Sequence, residues 1–105
     1  MANYLLCYVG DPGMPESEEE GAKVMQAWMG WLSGLGDSVF DAGNPIMAAK
    51  TVLSNGSVAD GVPRLGGYSI VKADGLNDAV AKTAGCPHLG AGGDIEVFET
   101  IDMGA

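Results

Sequence analysis

A thiol and the chain's single imidazole stand two residues apart in Cys86-Pro87-His88. A cysteine nucleophile needs an imidazole within hydrogen-bond reach to draw off its proton. Two features oppose that chemistry here. Residues i and i+2 across a proline turn point apart, and a cysteine just past the end of a helix faces the negative pole of the helix dipole, which raises a thiol pKa. The stronger expectation is a packing cysteine beside a capping or pocket-lining histidine. As a structural residue His88 would hydrogen-bond the Gly90–Gly93 loop. As a catalytic one it would be the only side chain titrating near neutrality, hence the sole candidate for acid–base work.

Asp37 and Asp41 flank the start of an expected second strand. Each suits either the N–H groups of a turn or the role of general base in a cleft. Cys86, His88 and one of these aspartates make a poor metal site, because only two ligands are local and a catalytic zinc usually takes three from the protein; no metal is expected. Gly90, Gly92 and Gly93 precede a strand rather than a helix N-terminus, so they form no phosphate cradle, and no cofactor is called for. Trp28 and Trp31 are first of all core aromatics. Wide indoles over a small sheet nevertheless leave irregular space, and with Tyr68, Ser69 and Cys86 they would line a pocket.

Composition limits what such a site could serve. The chain has 105 residues, 47% of them apolar, which suits one folded domain and excludes disorder. Its net charge of −9 repels nucleic-acid phosphates and anionic membrane surfaces alike. Residues 1–9, MANYLLCYV, lack the basic start and long apolar run of a signal peptide, and no stretch approaches a membrane span, so a soluble, cytoplasmic protein with two reduced thiols is expected.

The elements that position these residues follow from periodicity. Tyr4–Val9 alternates large side chains on both faces, the mark of a strand covered on two sides. Asp11-Pro12-Gly13 turns the chain. Ser17 with Glu20 forms a capping box for a first helix whose stripe is Val24, Ala27, Trp28, Trp31, Leu32 and Leu35, ended by Gly34 and Gly36. Val39–Phe40 and Met47–Leu53 read as strands about the Gly43-Asn44-Pro45 bend. Asn55-Gly56 is a hairpin-type turn signal within a polar, glycine-rich region, 54–66, expected to be an exposed loop. A strand over Gly67–Lys72, a helix over Gly75–Ala84 burying Leu76, Ala79, Val80 and Thr83, and a strand over Asp94–Ile101 complete the chain.

That order resembles the YCII-related domain family. The resemblance rests on Trp28, Trp31 and Leu35 followed by Ala42-Gly43-Asn44-Pro45, on Gly66-Gly67-Tyr68, and on Gly92-Gly93 through Val97. Asp60-Gly61 is similar to the start of the family's aspartate-glycine-proline-phenylalanine motif, with Val62-Pro63 replacing the rest. The resemblance covers nearly the whole chain and implies one α+β domain, residues 1–105, with a ferredoxin-like β-α-β-β-β-α-β sandwich that pairs into a dimeric α/β barrel. One branch of the family carries a histidine in the first helix and an aspartate before the proline that follows the second. Trp28 and Cys86 hold those positions here, and neither can perform the same proton transfer. Two functions follow as expectations. One is a homodimer binding a small organic molecule between the first helix and the sheet, with His88 running isomerase- or lyase-type acid–base chemistry. The other is a non-enzymatic dimeric accessory or regulatory protein.

Overall fold

The computed structural model describes residues 2–10, 16–61 and 65–103. The turn expected at Asp11-Pro12-Gly13 and the Val62-Pro63 pair lie outside them. The chain is α+β with antiparallel sheets. Strand β1 (Ala2–Val9) is followed by helix α1 (Glu18–Leu35), a 3-10 turn (Gly36–Ser38) and β2 (Val39–Asp41); β3 (Lys50–Val52) and β4 (Val58–Asp60) come next, then β5 (Leu65–Ala73), α2 (Leu76–Lys82), α3 (Pro87–Gly90) and β6 (Asp94–Glu99). The main sheet has the order β2-β5-β1-β6, so each helical connection passes over one intervening strand, while β3 and β4 form a separate two-stranded sheet.

Strand β1 is central because its side chains suit burial on both sides. Tyr4, Leu6 and Tyr8 face the helices and form the core with Val71, Ala73, Trp31, Ala79 and Cys86. Against β5 the pairing runs from Ala2 opposite Ala73 to Tyr8 opposite Gly67, then slips so that Val9 meets Leu65 and Gly66 is the extra residue. Such bulges re-aim the groups beside them.

Helix α1 starts as its residues dictate: Ser17 Oγ accepts from the Glu20 N–H at 3.1 Å, and Glu20 Oε2 accepts from the Glu16 N–H at 3.4 Å. It ends at Gly36, whose positive φ of 57° suits a residue without Cβ. Only the second half of the expected stripe packs. Trp31 is buried and Trp28, Leu32 and Leu35 are partly so, whereas Val24 and Ala27 are exposed.

Three further expectations are corrected. The 54–66 region contains the strand Val58–Asp60, which pairs with Lys50–Val52 about a Leu53–Ser57 turn. The Cys-Pro-His-Leu turn is a helical turn, α3, opened by Pro87, whose fixed φ suits a first helical position. Helix α2 buries Ala79, with Thr83 buried just past its end, but leaves Leu76 and Val80 about half exposed, because a helix of barely two turns presents only its narrowest side to the sheet. Among the described residues no helix is long and apolar enough to cross a membrane.

Candidate functional site

The helix-side face of the sheet ends, at the last residues of β1, in an aromatic cluster. Tyr8 meets Trp28 edge-on with ring centroids 5.0 Å apart and lies 5.6 Å from the His88 ring, and Trp28 meets Trp31 edge-on at 5.7 Å. The Trp31 indole N–H donates to the Lys82 carbonyl at 3.2 Å, tying α1 to the end of α2. Beneath the rings runs a buried polar relay, in which the Tyr8 hydroxyl donates to Ser69 Oγ at 2.7 Å and Ser69 Oγ donates to the Ala42 carbonyl at 2.7 Å. This relay satisfies two hydroxyls that would each be costly to bury alone.

His88 is brought here by α3 and is 4% exposed. Its Nε2 lies 2.8 Å from the Val9 carbonyl, at the residue where the register of β1 against β5 slips. A carbonyl only accepts, so Nε2 carries the proton and the neutral ring keeps its lone pair on Nδ1. Among the described residues Nδ1 makes no hydrogen bond. Gly93 packs so closely on the imidazole that a Cβ there would collide with its ring atoms. The expectation that His88 bonds the Gly90–Gly93 loop is thus corrected. Its side chain bonds Val9, and the loop supplies the contact that holds the ring in plane, with the Gly93 N–H donating to the His88 carbonyl at 3.0 Å.

Cys86 lies at the N-terminal end of α3 and is buried. Burial pushes its thiol pKa up, and the nearby N–H groups of His88 and Leu89, too poorly placed to cap through the sulfur, pull it down by less. The thiol stays protonated for a reason other than the helix-dipole argument, which assumed that only α2 stood beside it. Burial likewise pushes the Tyr8 hydroxyl up to about 12, against the lowering effect of its Ser69 bond. Burial keeps the thiol protonated and, among the described residues, no hydrogen bond joins it to the His88 ring, so Cys86 and His88 are not arranged as a nucleophile–base pair.

Of the residues singled out in the sequence, Trp28, Trp31, Cys86 and His88 come together. Tyr68 does not. Its neighbours Gly67 and Ser69 are buried on the helix side, so alternation turns Tyr68 to the opposite face, paired with Cys7, its hydroxyl 3.5 Å from Asn44 Nδ2. Asp37 is exposed in the 3-10 turn. Asp41 is also exposed, and its Oδ1 accepts from the Gly43 N–H at 2.8 Å, the turn-closing role. Tyr8 and the Val9 carbonyl were not anticipated. The alternation of Tyr4, Leu6 and Tyr8 was their signal, but it does not reveal which helix arrives above them. Among the described residues no three His, Cys, Asp or Glu side chains gather as a metal-ligand set.

No family model, no curated protein and no solved structure matches this chain.

Proposed function

We propose that this chain is a cytoplasmic homodimer of single-domain, ferredoxin-like, YCII-related subunits forming a dimeric α/β barrel, and that each subunit binds a small organic molecule beside Trp28, Tyr8 and His88. The strand order β2-β5-β1-β6 supports the fold, with β3 and β4 as an excursion between neighbouring strands. The sheet face away from the helices supports the dimer. Across it Ile70, Leu5 and Phe98 stand in register, with Phe40 exposed at the β2 edge, and no described element covers them. An apolar row of that width is the kind of surface a second sheet covers.

The observation that carries the ligand reading is His88 itself, a histidine whose tautomer is fixed by Val9 and whose Nδ1 has no hydrogen-bond partner among the described residues, beside a half-buried indole. Such a site offers a flat apolar wall and one acceptor. It suits uncharged phenols or unsaturated lactones, since anions are repelled by a chain of net charge −9. A proton taken onto Nδ1 from an acidic C–H would begin isomerase- or lyase-type chemistry. A second reading, the non-enzymatic accessory or regulatory dimer, is favoured by one specific feature: the Val9 bond and the Gly93 contact together make His88 a clamp between α3 and β1.

Tryptophan fluorescence titrated with neutral phenols and lactones separates the two. Saturable quenching that His88→Gln weakens at least tenfold, with an unchanged melting temperature, supports the binding site. A variant that loses stability, with no quenching in either protein, supports the clamp.

A further inference from the structure

The main sheet turns one set of side chains away from the helices, and the pairing of its strands fixes where each of them stands. Three rows cross this face. Lys72, Asn3 and Thr100 make the first, Ile70, Leu5 and Phe98 the second, and Tyr68, Cys7 and Glu96 the third. The apolar middle row is thus bounded by two charges of opposite sign at opposite corners. Lys72 and Glu96 are both diagonal neighbours of Leu5, so each stands about 7–8 Å from it, on opposite sides.

Neither charge is paired within the subunit. Among the described residues the ion pairs are Lys50 with Asp60 and Lys82 with Asp78, and Lys72 is the sole cation on this face. Its ammonium stands 5.6 Å from the centroid of the exposed Phe40 ring, at the β2 edge. At the other corner, burial and then the Glu96 carboxylate push the Cys7 thiol pKa up, which places that carboxylate over the same face as Cys7.

A face with one positive and one negative corner set symmetrically about its centre is complementary to itself. A two-fold axis lying between two such sheets, over Leu5 and at right angles to the line from Lys72 to Glu96, carries each charge onto its opposite. With ordinary strand and residue spacings the strands of the two sheets then cross at about 70°, close to orthogonal sheet packing. An axis along the strands, or straight across them, leaves both charges facing Thr100 and Tyr68 with no counter-charge, which is costly at an interface.

We infer that this face is covered by the same face of a second copy of the chain, with Lys72 paired to Glu96 of the partner subunit and Glu96 to Lys72 of the partner subunit. The pairing rests on the dimer reading above and adds the contacts that set its two-fold axis.

Sedimentation equilibrium on the full chain tests it. Lys72→Glu and Glu96→Lys, each alone, should raise the dimer dissociation constant at least a hundredfold, because each dimer exchanges two attractions for two repulsions. Glu96→Lys should do so although it brings the net charge of −9 closer to zero, which by itself favours association. Lys72→Glu/Glu96→Lys restores both pairs with their signs exchanged and should bind within about threefold of the wild type. Lys72→Glu/Asp94→Lys has the same net charge, with the new cation opposite Val9 instead of Cys7, and should stay at least tenfold weaker. A wild-type dimer that neither single variant weakens, a double reversal that does not recover, or equal recovery with Asp94→Lys overturns the pairing and leaves the dimer standing. A wild type that stays monomeric at 100 μM overturns both.

Discussion

Replacing Gly93 by alanine, alone and together with His88→Ala, tests the geometry of the aromatic cluster directly. The backbone at Gly93 is not among the positive-φ glycines, so alanine is conformationally allowed there, and in open space it would stabilise by about 0.4–1 kcal/mol through the unfolded chain. The space is not open: the new Cβ meets Nε2, Cε1 and Cδ2 of His88, the same edge of the ring that donates to Val9. Overpacking costs about 1–3 kcal/mol, and pushing the ring off the carbonyl forfeits a buried bond worth about 1–3 kcal/mol. Set against the entropic gain, Gly93→Ala should destabilise by about 2 kcal/mol, lowering the melting temperature by roughly 10 °C in a domain of this size. His88→Ala removes the obstacle. In that background Gly93→Ala should be neutral or stabilising by up to about 1 kcal/mol, a coupling of about 2–3 kcal/mol. Urea unfolding of the four proteins at one fixed protein concentration gives the cycle. Equal costs for Gly93→Ala with and without the imidazole would refute the contact, and with it the clamp that fixes the histidine tautomer.

Two more perturbations follow from the same core. The Tyr8 hydroxyl has its pKa raised from 10.0 to about 12 in the folded chain, so folding favours the protonated phenol. The associated stability, about 2–3 kcal/mol, is fully present below pH 10 and lost as pH rises to 12. Tyr8→Phe should cost about 1 kcal/mol at pH 8 through its Ser69 bond yet overtake the wild type above pH 11 in thermal melts; parallel curves would contradict this. Gly43→Ala should cost about 3–5 kcal/mol by urea unfolding, because φ is +78° and a Cβ would collide with the Tyr68 carbonyl, whereas Gly30→Ala, mid-helix in open space, should gain up to about 1 kcal/mol.

What could be read from the sequence was whatever local chemistry decides. The Ser17 cap, the Gly36 stop and the Asn55-Gly56 turn each depend on residues within a few positions of one another, and all three stand where the residues put them. Trp31 and Ala79 are buried by their own periodicity. The failures have a different cause. The sequence places both Tyr68 and Ser69 beside the indoles, but a period of two separates neighbours onto opposite faces, and only the register with β1 shows which face belongs to which. Helix α3 is a single turn, too short for any apolar period, and Pro87 at its start was its one local sign. Strand β4 has three residues and draws its pairing from the strand across the turn rather than from its own composition. The partner of His88 lies 79 residues away, so the tautomer, the property on which a catalytic role depends, has no local signature.

The central place of β1 also sets the order in which this chain can be made. Tyr4–Val9 leaves the ribosome before either of its neighbours, β5 from residue 65 and β6 from residue 94, and even the Tyr4 hydroxyl awaits Glu99. At about 5–20 residues per second, a strand with apolar side chains on both faces stays unpaired for several seconds while the acidic α1 and the β3–β4 ribbon are added. Six uncharged residues of high strand propensity, exposed that long, are a site for pairing with the same segment of another nascent chain. Yield during synthesis, more than the stability of the finished fold, is then what the sequence of β1 puts at risk, and clustered translation of this message in one place would increase that risk.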